Sequence, residues 1–174
     1  MRDMATLFIF SGLPGTGKTT ISQQLARKLN VLHLRIDTIE QTIRDACHIK
    51  VADEGYRLAY QIAADNLRLG ISVIADSCNP IELSRRQWER VAEASNAPFI
   101  NIEITCSDRH QHRQRIESRK SNIPGLRLPT WQDVERREYH PWTQDRIIVD
   151  TAGRADSDCV DDLMRAIDSK RYER

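Results

Sequence analysis

Short apolar runs alternate with longer amphipathic stretches along the chain, and this alternation predicts the fold. Thr6-Leu7-Phe8-Ile9-Phe10 is nearly all apolar, as a strand covered on both faces must be. Thr19 to Leu29 places Ile21, Leu25, Ala26 and Leu29 at helical spacing. Val31 to Ile36 reads as a second strand, Thr38 to Ala46 as a helix, and Glu54 to Leu69 as a longer helix closed by Gly70. Ile71 to Ala75 is a third strand, Pro80 to Ser95 a helix, and Phe99 to Thr105 a fourth strand. A charged helix follows from Ser107 to Arg119, with Ser107 or Asp108 as cap. A Pro/Gly loop over 121–129, a short helix from Thr130 to Tyr139, a fifth strand from Arg146 to Thr151 and a closing helix from Ser157 to Lys170 complete the pattern. Alternating strands and helices predict an α/β three-layer sandwich: a five-stranded parallel sheet between helices, with a short helical lid at about 115–130. With no internal repeat, residues 1–174 are expected to form one domain.

The first strand–helix junction carries the strongest chemical signal. Gly12-Leu13-Pro14-Gly15-Thr16-Gly17-Lys18-Thr19 is a full G-x-x-x-x-G-K-[ST] match in its required strand–loop–helix context. Such a loop wraps the α- and β-phosphates of a nucleotide with backbone N–H groups, and the helix N-terminus adds partial positive charge. Gly12, Pro14, Gly15, Thr16, Gly17, Lys18, Thr19 and Thr20 are therefore the expected nucleotide-binding residues. Lys18 is placed to reach the β- and γ-phosphates and Thr19 to hold Mg²⁺.

Composition narrows the classes. The 174 residues carry a net charge of +1, so no global field points to nucleic acid or to an anionic membrane. No apolar run approaches the ~20 residues of a membrane span. The first strand begins so soon after Met1-Arg2-Asp3-Met4 that a signal peptide is not expected. Cys47, Cys78, Cys106 and Cys159 are scattered without zinc spacing, which fits reduced thiols in a cytoplasmic protein.

In a parallel sheet the ligand lies beyond the carboxyl ends of the strands. Asp76 ends the third strand, where it can hold Mg²⁺ or cap the helix that follows. Asp37 ends the second, where it can act as general base toward a hydroxyl acceptor or cap the next helix. The helix from Ser107 pairs Arg109 with Arg113 and Arg115 with Arg119 at i,i+4, a spacing at which like charges repel unless an anion lies between them. Arg109 and His110 read as solvated. Arg115 and Arg119, beside the Pro/Gly loop, read as lid cations for the transferring phosphate. His33 reads as a sheet-face residue, and Trp131, Tyr139 and Trp142 as core.

These residues resemble the small P-loop kinases of the nucleoside/nucleotide-kinase-like superfamily, in particular the bacterial "predicted kinase" branch labelled AAA, which borders zeta toxins, chloramphenicol phosphotransferase and phage polynucleotide kinase. The matching segments are 11–19, 36–40, 70–80, Arg85 or Arg86 with Trp88, 115–119 and 147–153. The resemblance implies an ATP- and Mg²⁺-dependent phosphotransferase with Asp37 as base and a lid arginine. It further implies that Thr151-Ala152-Gly153 lines the adenine and that Asn79 and Arg86 border the acceptor pocket. Adenylate kinases and the phage enzyme have an arginine shortly after the acid of the second strand. This chain has Glu40 at the third place after Asp37, and that acid disfavours an anionic acceptor. The expected partner is thus a small neutral or cationic hydroxyl compound. Two alternatives stand: a polynucleotide 5′-hydroxyl kinase, which would want more than 6 % aromatic residues for stacking, and a non-catalytic ATP-binding or ATPase switch. Oligomeric state is not legible.

Overall fold

The computed structural model describes residues 4–172; the expectation drawn from the first four residues lies largely outside that range. Five strands, β1 (Leu7–Ser11), β2 (Leu32–Arg35), β3 (Val73–Asp76), β4 (Phe99–Thr105) and β5 (Ile147–Asp150), form one sheet in the order β2-β3-β1-β4-β5. Every pairing is parallel. The connections are α1 (Lys18–Leu29), α2 (Ile36–Cys47) with α3 (Glu54–Arg68), α4 (Glu82–Ala94), and α5 (Arg109–Ser118) with α6 (Trp131–Glu135); α7 (Asp156–Tyr172) closes the chain. No described helix is long and apolar enough to cross a membrane, and the four cysteines are free.

The period-2 geometry of β1 divides its side chains between two cores. Phe8 and Phe10 join Ile21, Leu25, Ile102, Val160 and Leu163 beneath α1 and α7. Leu7 and Ile9 join Ala59, Ala63, Trp88 and Ala92 beneath α3 and α4. These four apolar side chains of β1 are fully buried, each worth about 1.5–3 kcal/mol of apolar transfer. A strand so held is a rigid base for the loop that follows it.

Three boundaries differ from the sequence reading, each for a physical reason. The second strand stops at Arg35 and α2 starts at Ile36, so Asp37 lies in the first helical turn and is not its cap. Asp76 is the last residue of β3, and α4 begins only at Glu82 with Ile81 before it; Asp76 caps nothing. The helix expected over 130–139 ends at Glu135, because Tyr139 and Trp142 are drawn away to the buried guanidinium of Arg85. Arg85 donates to the carbonyls of Asn79, Pro80, His140 and Pro141, and so ties the 138–142 segment to the turn after β3. The segment expected to form the lid is helical on its flanks, at α5 and α6, and irregular between them.

Candidate active site

The P-loop bends between β1 and α1 through three residues with positive φ: Gly12 (145°), Gly15 (83°) and Gly17 (94°). Gly17 precedes α1 in a left-handed conformation, with no side chain capping the first helical amides. Those N–H groups are left for an anion. The loop is clamped from outside. Gly12 N donates to Cys78 O (3.1 Å), and the Cys78 thiol donates back to Gly12 O (3.1 Å). His112 Nε2 donates to Pro14 O (2.7 Å). Ile116 packs so closely that a Cβ on Gly15 would lie 2.5 Å from its Cδ1. Thr151 Oγ1 donates to Thr16 O (2.8 Å) while accepting from Arg115 Nη1 (2.7 Å).

Lys18 extends to Asp76, with Nζ 3.5 Å from Oδ1. Burial lowers the Lys18 pKa, but Asp76 above all outweighs it and the net shift is upward. Burial likewise raises Asp76; the charge of Lys18 and the nearby His33 overcome this and hold the carboxyl at about 2. His33 Nε2 sits 3.0 Å from Ser22 Oγ and 3.6 Å from Asp76 Oδ2. Ser22 donates its own proton to Thr19 O, so His33 is the donor between them. Asp76 Oδ2 is buried without a hydrogen-bond partner among the described residues. An orphaned carboxylate oxygen beside the Thr19 hydroxyl is a hard oxygen donor pair suited to Mg²⁺. Among the described residues no group of three or more His, Cys, Asp or Glu could hold a metal ion, so such an ion would take its remaining ligands from water and phosphate.

A cleft of about 1260 Å³ opens at the carboxyl ends of the strands. Pro14, Gly15, Gly17, Lys18, Thr19 and Thr20 form its floor, with Asp76. Asp37, Glu40, Gln41 and Arg44 of α2 form one wall, and Arg115 and Arg119 stand opposite. Asp37 is exposed to the cleft and makes no hydrogen bond or ion pair among the described residues, yet it lies near enough to act electrostatically on Lys18 and Arg119.

Several predicted residues sit elsewhere. Asn79 is fully buried; it takes φ 43° to turn the chain and donates Nδ2 to Phe10 O (2.9 Å). Arg86 is paired along its own helix with Glu89 (3.0 Å) and Glu82 (3.6 Å). Neither lines the cleft. Gly12 and Thr16 lie behind the loop, where a Cβ on Gly12 would strike Ile104 O at 2.3 Å. Ala152 and Gly153 spend their amides on Asp150 and Gln111, and the cleft wall there comes from Arg154, Ala155 and Asp156. Arg109 and Arg113 need no bridging anion, since Glu135 and Glu117 pair with them. Glu40, on which the expectation of a non-anionic acceptor rests, has its carboxylate held by Arg44 (3.0 Å), and burial raises its pKa. The sequence reading missed Arg35, Arg44, Arg127 and Arg137, which all line the cleft; nothing local distinguishes them from solvated arginines.

A glycine cradle at the switch point of a parallel sheet, with a lysine and a strand-end aspartate beneath it, defines a P-loop nucleotide-binding protein of the kinase-like superfamily. Residues 7–137 match the model of the AAA domain family, and the chain belongs to that family. It is similar to an adenylyl-sulfate kinase of Synechococcus sp. (strain JA-2-3B'a(2-13)), 22 % identical over 174 residues and covering 94 % of each chain. Among solved structures it is similar to the Mycobacterium tuberculosis APS kinase CysC in complex with AMPPNP and APS, with TM-score 0.70, 14 % identity, and 95 % of this chain and 98 % of that one covered. It is also similar to a gluconokinase from Sinorhizobium meliloti 1021, with TM-score 0.65, 14 % identity and 99 % of each chain covered. At these identities the structural likeness speaks for the fold.

Proposed function

We propose that this protein transfers the γ-phosphate of ATP to a hydroxyl group of a small molecule. The observation that carries the reading is Asp37: an unpaired carboxylate on the wall of the cleft whose floor is the P-loop lysine. In this reading the acceptor hydroxyl binds against Asp37. Its oxygen attacks the γ-phosphorus in line, the new O–P bond forms, the bond to the β-phosphate oxygen breaks, and the hydroxyl proton passes to the Asp37 carboxylate. Lys18 and the free amides of Gly15 and of Gly17 to Thr19 hold the β- and γ-phosphates. Arg115 and Arg119 face the oxygens on which charge accumulates. Thr19 and Asp76 are the residues that would hold Mg²⁺, which when bound neutralises charge on the β- and γ-oxygens. The segment from Arg115 to Thr130 acts as the lid, excluding water that would otherwise take the phosphate. The kinase relatives agree with this chemistry, and a cleft whose described lining residues include no aromatic ring offers a polynucleotide acceptor no stacking surface.

The test is Asp37→Asn. General-base removal should lower phosphate transfer by about 10²–10⁴-fold while leaving ATP affinity, measured by calorimetry, within a few-fold. Transfer at an unchanged rate would remove Asp37 from the mechanism.

A further inference from the structure

The cleft carries far more positive charge than ATP requires. Nine Lys and Arg side chains line it against four carboxylates, a surplus of five. MgATP brings a net charge of about −2, which leaves roughly three positive charges unmatched. Lys18, Arg44 and Arg154 are paired with Asp76, Glu40 and Asp162. Arg35, Arg119 and Arg137 are not. Arg35 donates Nη1 to Asn122 Oδ1 (2.8 Å), and Arg137 reaches the Cys78 sulfur (3.6 Å) and makes no ion pair among the described residues. The Nε atoms of Arg35 and Arg119 are buried with no partner among the described residues. Burial disfavours the charge on Arg119 most; Asp37 supports it in part, and Arg137 and Arg35 both lie near enough to oppose it. Arg35 and Arg119 are half-buried and Arg137 is exposed; like charges brought together and partly desolvated cost free energy unless an anion joins them.

The position of the cluster points to the acceptor. Arg35 ends β2, in register with Asp76, one residue before α2 and two before Asp37. The lid rests on this side: Asn122 holds Arg35, and Gly125 lies against Gln41 and Asp45 of α2. No Phe, Tyr, Trp or His is among the described residues lining the cleft, so a nucleobase on the acceptor would find no stacking surface.

Resting on the phosphotransferase reading above, we infer that the acceptor is a small hydroxyl compound that itself carries an anionic group (carboxylate, phosphate or sulfate) and no nucleobase, with Arg35, Arg119 and Arg137 holding that anion while Asp37 receives the hydroxyl proton. Guanidinium forks suit all three anions, since each offers oxygens for bidentate bonding.

The test separates the anion site from turnover. The protein is saturated with Mg²⁺ and a non-hydrolysable ATP analogue, so that the P-loop is filled, and inorganic sulfate is titrated by calorimetry at constant ionic strength. The expected result is saturable binding of one sulfate, weakened about 10-fold or more by Arg137→Gln and by Arg35→Gln, the loss of one charge-assisted bond. No saturable binding, an adventitious ion only, or binding that both variants retain overturns the inference. A parallel screen compares hydroxy acids and sugar phosphates with their uncharged polyol counterparts as phosphate acceptors. Preference for the charged member in kcat/KM, lost through KM in Arg137→Gln, supports the inference. Equal or better transfer to the neutral member overturns it and leaves the phosphotransferase reading intact. If no hydroxyl compound of either kind takes phosphate and Asp37→Asn leaves ATP turnover unchanged, the phosphotransferase reading fails and the inference falls with it.

Discussion

Asp76→Asn removes one charge from the floor of the cleft at almost constant volume, and the structure sets its size. The carboxyl is almost fully buried and held at about 2, against 3.8 for the free group, by Lys18 and His33 acting against desolvation. A depressed pKa means that the folded state prefers the ionised carboxylate. The stability it contributes is present above pH 3.8 and is lost as pH falls through 2. Nearly two pKa units amount to about 2 kcal/mol at pH 7. By pH 3 the same linkage leaves about 1 kcal/mol. Urea unfolding of the two proteins, compared between pH 7 and pH 3, should show the gap narrow by half. The substitution also leaves Lys18 nearly buried without its counter-ion, so its pKa should fall from the raised value it has beside Asp76. A gap below about 0.5 kcal/mol at pH 7, or one that does not change with pH, would refute the account of Asp76 as an ionised partner of Lys18.

Gly15→Ala should weaken ATP binding about 10-fold, because residue 15 has φ 83° and the new methyl meets Ile116; Ile116→Val in the same chain should recover part of the loss, read by calorimetry. Arg85→Leu should destabilise the fold by about 3–5 kcal/mol in chemical denaturation, since four carbonyls and two aromatic faces lose a buried guanidinium; a change under 1 kcal/mol would show that the cation contributes little. Thr151→Val should cost about 1–2 kcal/mol of stability and reduce ATP affinity, because Thr151 joins Arg115 to the P-loop carbonyl of Thr16; unchanged ATP affinity would separate that bond from nucleotide binding.

Much of the fold was legible because its signals are local. Fully apolar strands and 3.6-periodic helices follow from burial on two faces or one, and the element order matches the sequence reading. Where the reading slipped, a distant partner had intervened. Nothing near residues 136–142 says that Arg85, more than fifty positions earlier, will gather Tyr139 and Trp142 and stop the helix. The family resemblance set Asn79 and Arg86 at the acceptor pocket, but a turn needing positive φ and an in-helix ion pair claim them.

The nucleotide cradle is contiguous: eight consecutive residues contain the turns, the free amides, the lysine and the hydroxyl, so their chemistry is readable as a string. The opposite wall is not contiguous. Arg35 at a strand end, Arg119 at a helix end and Arg137 beyond α6 are each unremarkable alone, and only the parallel sheet and the lid bring them around Asp37. Glu40 shows the same division from the other side. By spacing it is a charge that repels anions; in the folded helix it is Arg44's partner, and the cleft is lined by more cations than carboxylates because charges sum over space and not along the chain.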